Sequence, residues 1–105
     1  MAKAREFRES PVVQGADEEI VFTLLTTAWG SSPSNASVAV YDVTTLPRVD
    51  VTATVMPVGT VSVAGDIITF PVLKLLTAGH VYRIEAKFHS AGNVFEAWGE
   101  VRAEE

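Results

Sequence analysis

Residues 80–103 alternate between apolar and polar side chains through two runs joined by a short Ser-Ala-Gly-Asn turn. Nothing else in the chain limits its fold as strongly. Tyr82, Ile84, Ala86 and Phe88 share one parity, and Val81, Arg83, Glu85 and Lys87 the other. The returning run offers Phe95, Ala97, Gly99 and Val101 on one side, with Val94, Glu96, Trp98, Glu100 and Arg102 on the other. A period of two is the signature of strands with one buried face. With His89 opposite Val94, Phe88 meets Phe95, Ala86 meets Ala97, Ile84 meets Gly99 and Tyr82 meets Val101. On the other face Lys87 meets Glu96 and Arg83 meets Glu100, opposite-charge pairs worth ~0.2–1 kcal/mol each. A slip of one residue places Glu96 opposite Ala86 and Glu100 opposite Tyr82, which drives carboxylates into the core. The spacing therefore predicts a hairpin in the first register, turning at 90–93.

The approach to this hairpin reads Leu-Thr-Ala-Gly-His-Val-Tyr. Leu76 is expected to plug the core, Gly79 to supply a permissive backbone conformation, and Tyr82 to return its hydroxyl to upstream backbone. Such a tyrosine, near the start of the penultimate strand, marks the corner where a sandwich chain crosses between sheets.

Upstream, short strand patterns recur at turn-like intervals. Residues 10–14 form a strand with proline at its start, which suits an edge. In residues 19–27, Ile20, Phe22 and Leu24 are expected on the core face. Residues 36–43 give a further strand with Val38 and Val40 inward. Residues 60–63 and 66–70 read as a hairpin around Ala64 and Gly65. Residues 45–59 read either as a short strand or as a helical turn. The expected fold is all-β, an immunoglobulin-like β-sandwich of about seven strands ending in an F–G hairpin. Residues 11–105 form the domain, and residues 1–10 an N-terminal arm that is either disordered or docked on a partner.

With 105 residues, one domain is the natural count. A domain of this size buries roughly 60–70% of its unfolded surface, enough for a core without staples. The chain has no cysteine, which excludes disulfides and thiolate metal sites. A net charge of −5 disfavours a nucleic-acid surface. No run approaches the ~18 apolar residues of a membrane span, and no apolar segment follows the basic start. Cytoplasmic synthesis without a signal peptide is the expectation, with no nucleic-acid or membrane partner.

The stretch "LTAGHVY" resembles the corresponding corner of fibronectin type III and related immunoglobulin-like domains. The succession "IVFTLLTTAW", "SVAVYDVTT", "TVSVAGDIITFPVLKLLTAGHVYRIEAKF" and "GNVFEAWGEV" resembles small immunoglobulin-like proteins encoded among phage and prophage head–tail and tail structural genes. The resemblance implies a structural virion role, as adaptor, decoration or tail-associated module, with other protein subunits or further copies of itself as partners. It brings no catalytic residues.

The residues themselves offer little chemistry. His80 and His89 lie nine positions apart on one strand, about 30 Å, too far to share a metal. Ser90 beside His89 lacks the arrangement of a nucleophile and its base. Asp17, Glu18 and Glu19 read as solvated charge at a turn, and Asp42 and Asp50 read as isolated. No enzyme, cofactor or metal site is expected. An outward Trp98 suggests either a partner surface, grouped with Tyr41, Val81, Val94 and Phe7 of the arm, or a patch that the arm itself covers through Phe7. Trp29, in a loop after a core strand, reads as a cover for one end of the sandwich; the alternative function, binding a ligand or carbohydrate, would use the loop containing Trp29, Ser31, Ser32 and Asn35.

Overall fold

A computed structural model describes the backbone of Arg5–Glu6 and residues 10–105 in full. The strands are β1 (Arg5–Glu6), β2 (Val12–Gly15), β3 (Thr23–Leu25), β4 (Ser34–Asp42) and β5 (Val49–Asp50), then β6 (Ser62–Ala64), β7 (Ile67–Thr69), β8 (Val81–Ser90) and β9 (Asn93–Glu104). A short helix, α1 (Thr52–Val55), follows β5. The segment that read as strand or helical turn thus contains both.

The protein is an all-β sandwich of two sheets. The larger runs β1-β9-β8-β4-β5, with β2 also on β9, and the smaller runs β3-β7-β6. Both β1 and β2 run parallel to β9. The β8–β9 register is the expected one, from Val81 opposite Arg102 to Ser90 opposite Asn93. The smaller hairpin closes at Gly65, whose φ is +60°, between paired Ala64 and Ile67.

Both inner faces feed one core, which includes Leu24, Val40, Ile68, Phe70, Leu73, Ile84, Phe88 and Val101. The helix α1 adds Val55 and Met56. Gln14, wholly buried, ties β2 to the opposite layer: its amide nitrogen donates to the carbonyls of Leu73 (2.9 Å) and Glu18 (3.0 Å). The two sheets are closed on one flank, where β4 approaches β6. On the other flank β3 and β9 stand apart across a cleft of about 830 Å³.

The expected corner residues occupy the crossing into β8. Leu76 is buried and Gly79 takes a φ of +86°. Tyr82 is 3% exposed, and its hydroxyl accepts a 2.8 Å hydrogen bond from the Thr77 N–H.

Candidate functional site

The outer face of the larger sheet carries a connected array of charged and aromatic side chains. Strand β4 presents Tyr41, β8 presents Arg83 and Glu85, and β9 presents Trp98. The register sets Tyr41 beside Arg83 and Glu85 beside Trp98. Arg48 reaches in from the loop before β5, which pairing of Tyr41 with Asp50 brings alongside.

One carboxylate organises the array. Glu85 Oε2 accepts from Arg48 Nη1 at 2.8 Å and from Arg83 Nε at 2.8 Å. Each guanidinium lies over an aromatic ring: Arg48 is 3.9 Å from the Tyr41 centroid and Arg83 is 4.3 Å from that of Trp98. Each cation is thus fixed by a carboxylate and a ring quadrupole together. The two guanidiniums share one carboxylate, and Asp50, paired opposite Tyr41, also lies within electrostatic reach of Arg48. A shallow groove of about 190 Å³ runs over Ser37, Ala39 and Trp98. Lys87 and Glu96 face each other at its end, 4.0 Å apart and largely exposed.

The surface therefore differs from the apolar patch expected around Trp98. The register places Val81 opposite Arg102 and Val94 opposite His89, whereas Trp98 lies opposite Glu85. Each valine is four positions along the hairpin from Trp98, about 13 Å. Parity sets the face a residue shares, not its distance, so Val81 and Val94 flank the array at opposite ends. Phe7 lies outside the described residues. The expected Arg83–Glu100 ion pair is also replaced: Arg83 bonds Glu85, and Glu100 accepts from Arg102 Nε at 3.0 Å.

Three aspartates hold loops in place. Asp42 is not isolated, because His80 Nδ1 lies 2.7 Å from its Oδ2 and the Thr44 hydroxyl donates to its Oδ1 at 2.6 Å. Burial of Asp42 opposes its ionisation, but hydrogen bonds from Thr44 and His80 outweigh that and hold its carboxyl below the ordinary value. Asp50 accepts from the Thr52 hydroxyl and N–H, which lower its pKa and fix the start of α1. Asp66 accepts from the Ser32 N–H and the Thr27 hydroxyl, again with a lowered pKa. Among the described residues, no group of three or more His, Cys, Asp and Glu side chains is placed to hold a metal ion.

The loop around Trp29 is bound into the sandwich. The Trp29 ring stacks on Phe88 at 6.3 Å and 20°, and Phe88 stacks on Phe95 at 5.5 Å. The Ser31 carbonyl accepts from the Ser90 hydroxyl at 2.6 Å, while the Ser32 N–H goes to Asp66. Asn35, exposed, sits with φ +50° where the β4–β8 register shifts. Arg48, Arg83 and Glu85 are the members of the array that sequence reading did not place in the site. The alternating charge of β8 was a signal for Arg83 and Glu85 but not for Arg48, which lies in the loop before β5.

Comparison of the chain with known families, curated proteins and solved structures returns no match.

Proposed function

We propose that this chain is a non-enzymatic structural or assembly module, an immunoglobulin-like phage or prophage virion protein of the head–tail or tail-associated kind. It docks other protein subunits, its own copies included, through the outer face of the larger sheet. The observation that carries the docking role is the Tyr41, Arg48, Glu85, Arg83 and Trp98 array. Arginine and aromatic side chains dominate the binding energy of protein interfaces, and here their geometry is set before any partner arrives. Preorganisation of this kind lowers the entropy cost of association.

The strand order supports the immunoglobulin-like reading. The smaller sheet, β3-β7-β6, and the β9-β8-β4 portion of the larger one correspond to the B-E-D and G-F-C groupings of that fold. The hydrogen bond between Thr77 and Tyr82 adds the tyrosine corner. The virion assignment rests on the resemblance of the sequence to phage structural proteins. A ligand- or carbohydrate-binding role at the Trp29 loop has less support, because Trp29 packs on Phe88 and the Ser31 and Ser32 backbone groups serve the fold itself.

Light-scattering mass over a wide concentration range tests the docking face. Self-association that weakens with Trp98→Ser or with deletion of residues 1–10 is the expected result. Association unchanged by both variants removes this face from the mechanism.

A further inference from the structure

The two outer faces of the sandwich differ in charge. The larger sheet is densely charged on its outside, from Arg83 and Glu85 to Glu100 and Arg102. Strands β3, β7 and β6 read Thr-Leu-Leu, Ile-Ile-Thr and Ser-Val-Ala, with no charged residue at all. Their outward rows are Thr23, Thr69 and Ser62, then Leu25, Ile67 and Ala64. Apolar exposure there is high: Leu25 is 63% exposed, Val21 54% and Ile67 44%.

The edge of this sheet is open as well. Phe22 and Thr26 direct their backbone groups at Phe70 and Asp66 across the β3–β7 pairing, and Ile20 exchanges both bonds with Leu73. By alternation, the N–H and C=O groups of Val21, Thr23 and Leu25 point the other way, into the cleft. Among the described residues no strand pairs with that edge. In the immunoglobulin-like arrangement a first strand completes the sheet beside B; here β2 lies on β9 instead. Strand β3 is short, at three residues, but it carries neither the lysine nor the proline that protects many natural edges.

We propose that β3 pairs antiparallel with β3 of a second copy of this chain, on a two-fold axis through Thr23. The inference deepens the assembly reading and rests on self-association, but it uses the opposite face from Trp98. Two features select a second copy as the occupant. The first is charge: two chains of net charge −5 repel, and along this edge no charge of one copy opposes a charge of the other. The second is self-complementarity. Pairing about Thr23 sets Val21 against Leu25, Phe22 against Leu24 and Thr23 against itself, so every cross-strand pair is apolar or Thr–Thr. The outward backbone groups then exchange bonds across the axis. Phe22 and Leu24 of the incoming strand continue the core face over the cleft, beside Val12 and Val101. The chain's own residues 1–9 suit the seam poorly. Neither alternate set of side chains in Met-Ala-Lys-Ala-Arg-Glu-Phe-Arg-Glu is free of charge.

Charge exchange across the axis tests the register. Wild type, Val21→Lys, Leu25→Glu and the double variant are compared by light-scattering mass, with circular dichroism and urea midpoints to confirm folding. All substitutions are on the exposed side. The expected result is a dimer that dissociates at least tenfold more readily in Val21→Lys. The double variant restores it, by setting the introduced lysine of one copy against the introduced glutamate of the other. A monomer at every concentration overturns the proposal. So does a dimer indifferent to all three variants, and if Trp98→Ser dissociates that dimer, the assembly reading stands without this edge. A wild-type monomer that dimerises only after removal of residues 1–9 also overturns it, because the arm then fills the seam.

Discussion

The Tyr82 hydroxyl accepts a hydrogen bond from the N–H of Thr77, five residues upstream, at 2.8 Å. This bond ties the loop entering β8 to the strand itself, at the point where the chain crosses between layers. The tyrosine ring lies in the core, so Tyr82→Phe keeps the packing and removes only the acceptor. The Thr77 N–H is then left part-buried without its partner. A loss of ~1–2 kcal/mol is expected, seen as a lower urea midpoint at unchanged m-value. An unshifted midpoint would show that water replaces the hydroxyl at no cost.

Gly30 is held against Ser90 for a different reason. A Cβ at position 30 would lie 2.5 Å from Ser90 Oγ and 2.8 Å from its Cβ. Ser90 cannot yield freely, because its hydroxyl bonds the Ser31 carbonyl. Gly30→Ala is expected to destabilise by about 1–3 kcal/mol through overpacking. In the double variant Gly30→Ala with Ser90→Gly, the Ser90 clash is gone, only the tight 3.3 Å approach to Phe95 Cε2 remains, and the two losses fall short of additive. Strictly additive losses would place the strain of Gly30→Ala somewhere other than Ser90.

Some of this was legible in the sequence and some was not, for identifiable reasons. The β8–β9 register could be read because period-two alternation rules out the one-residue slip that buries Glu96 and Glu100, while the Lys87–Glu96 pairing and the short turn at 90–93 favour the observed pairing. Tyr82, Gly79 and Leu76 could be read because a corner motif is local. The array on the outer face could not. Arg48 reaches Glu85 only once β5 has paired with β4, and no local pattern encodes that long-range closure. Asp42 looked isolated because His80 is 38 residues away. The Arg83–Glu100 pairing failed although the register was right, since the Trp98 ring and Glu85 together hold Arg83 elsewhere. The open edge of β3 was invisible because it depends on β2 joining β9.

The stacking of Arg83 on Trp98 can be read by fluorescence. In a Trp29→Phe background, which keeps a ring against Phe88, emission reports Trp98 alone. Arg83→Ala is expected to raise acrylamide quenching of that emission and to cost about 1 kcal/mol, since it removes an exposed cation–π contact together with the partly exposed 2.8 Å pair with Glu85. High salt weakens exposed ion pairs but leaves the ring contact largely in place, so quenching in wild type should change little with salt. Equal quenching in wild type and Arg83→Ala would mean that the guanidinium does not cover the ring in solution.

Acid stability follows from the three loop-holding aspartates. Asp42, Asp50 and Asp66 all have carboxyls held below the ordinary value in the folded chain. As pH falls, the unfolded chain therefore takes up protons before the folded one does. The stability these groups contribute is complete above the ordinary aspartate range, about 3.9, and is lost as pH falls through the lower folded values. Urea midpoints should be flat from neutral pH to about pH 5 on this account and decline below about pH 4. Asp42→Asn should lower the midpoint at neutral pH and make the acid decline shallower without abolishing it, because Asp50 and Asp66 still titrate. Burial of Asp42 works against its ionisation, and the Thr44 and His80 bonds supply the excess. Thr44→Val, which deletes the hydroxyl bond to Asp42 and also the one accepted from the Val81 N–H, should lower the midpoint at neutral pH and also shrink the acid step. An Asp42→Asn decline as steep as that of wild type would show that Asp42 contributes nothing to acid unfolding.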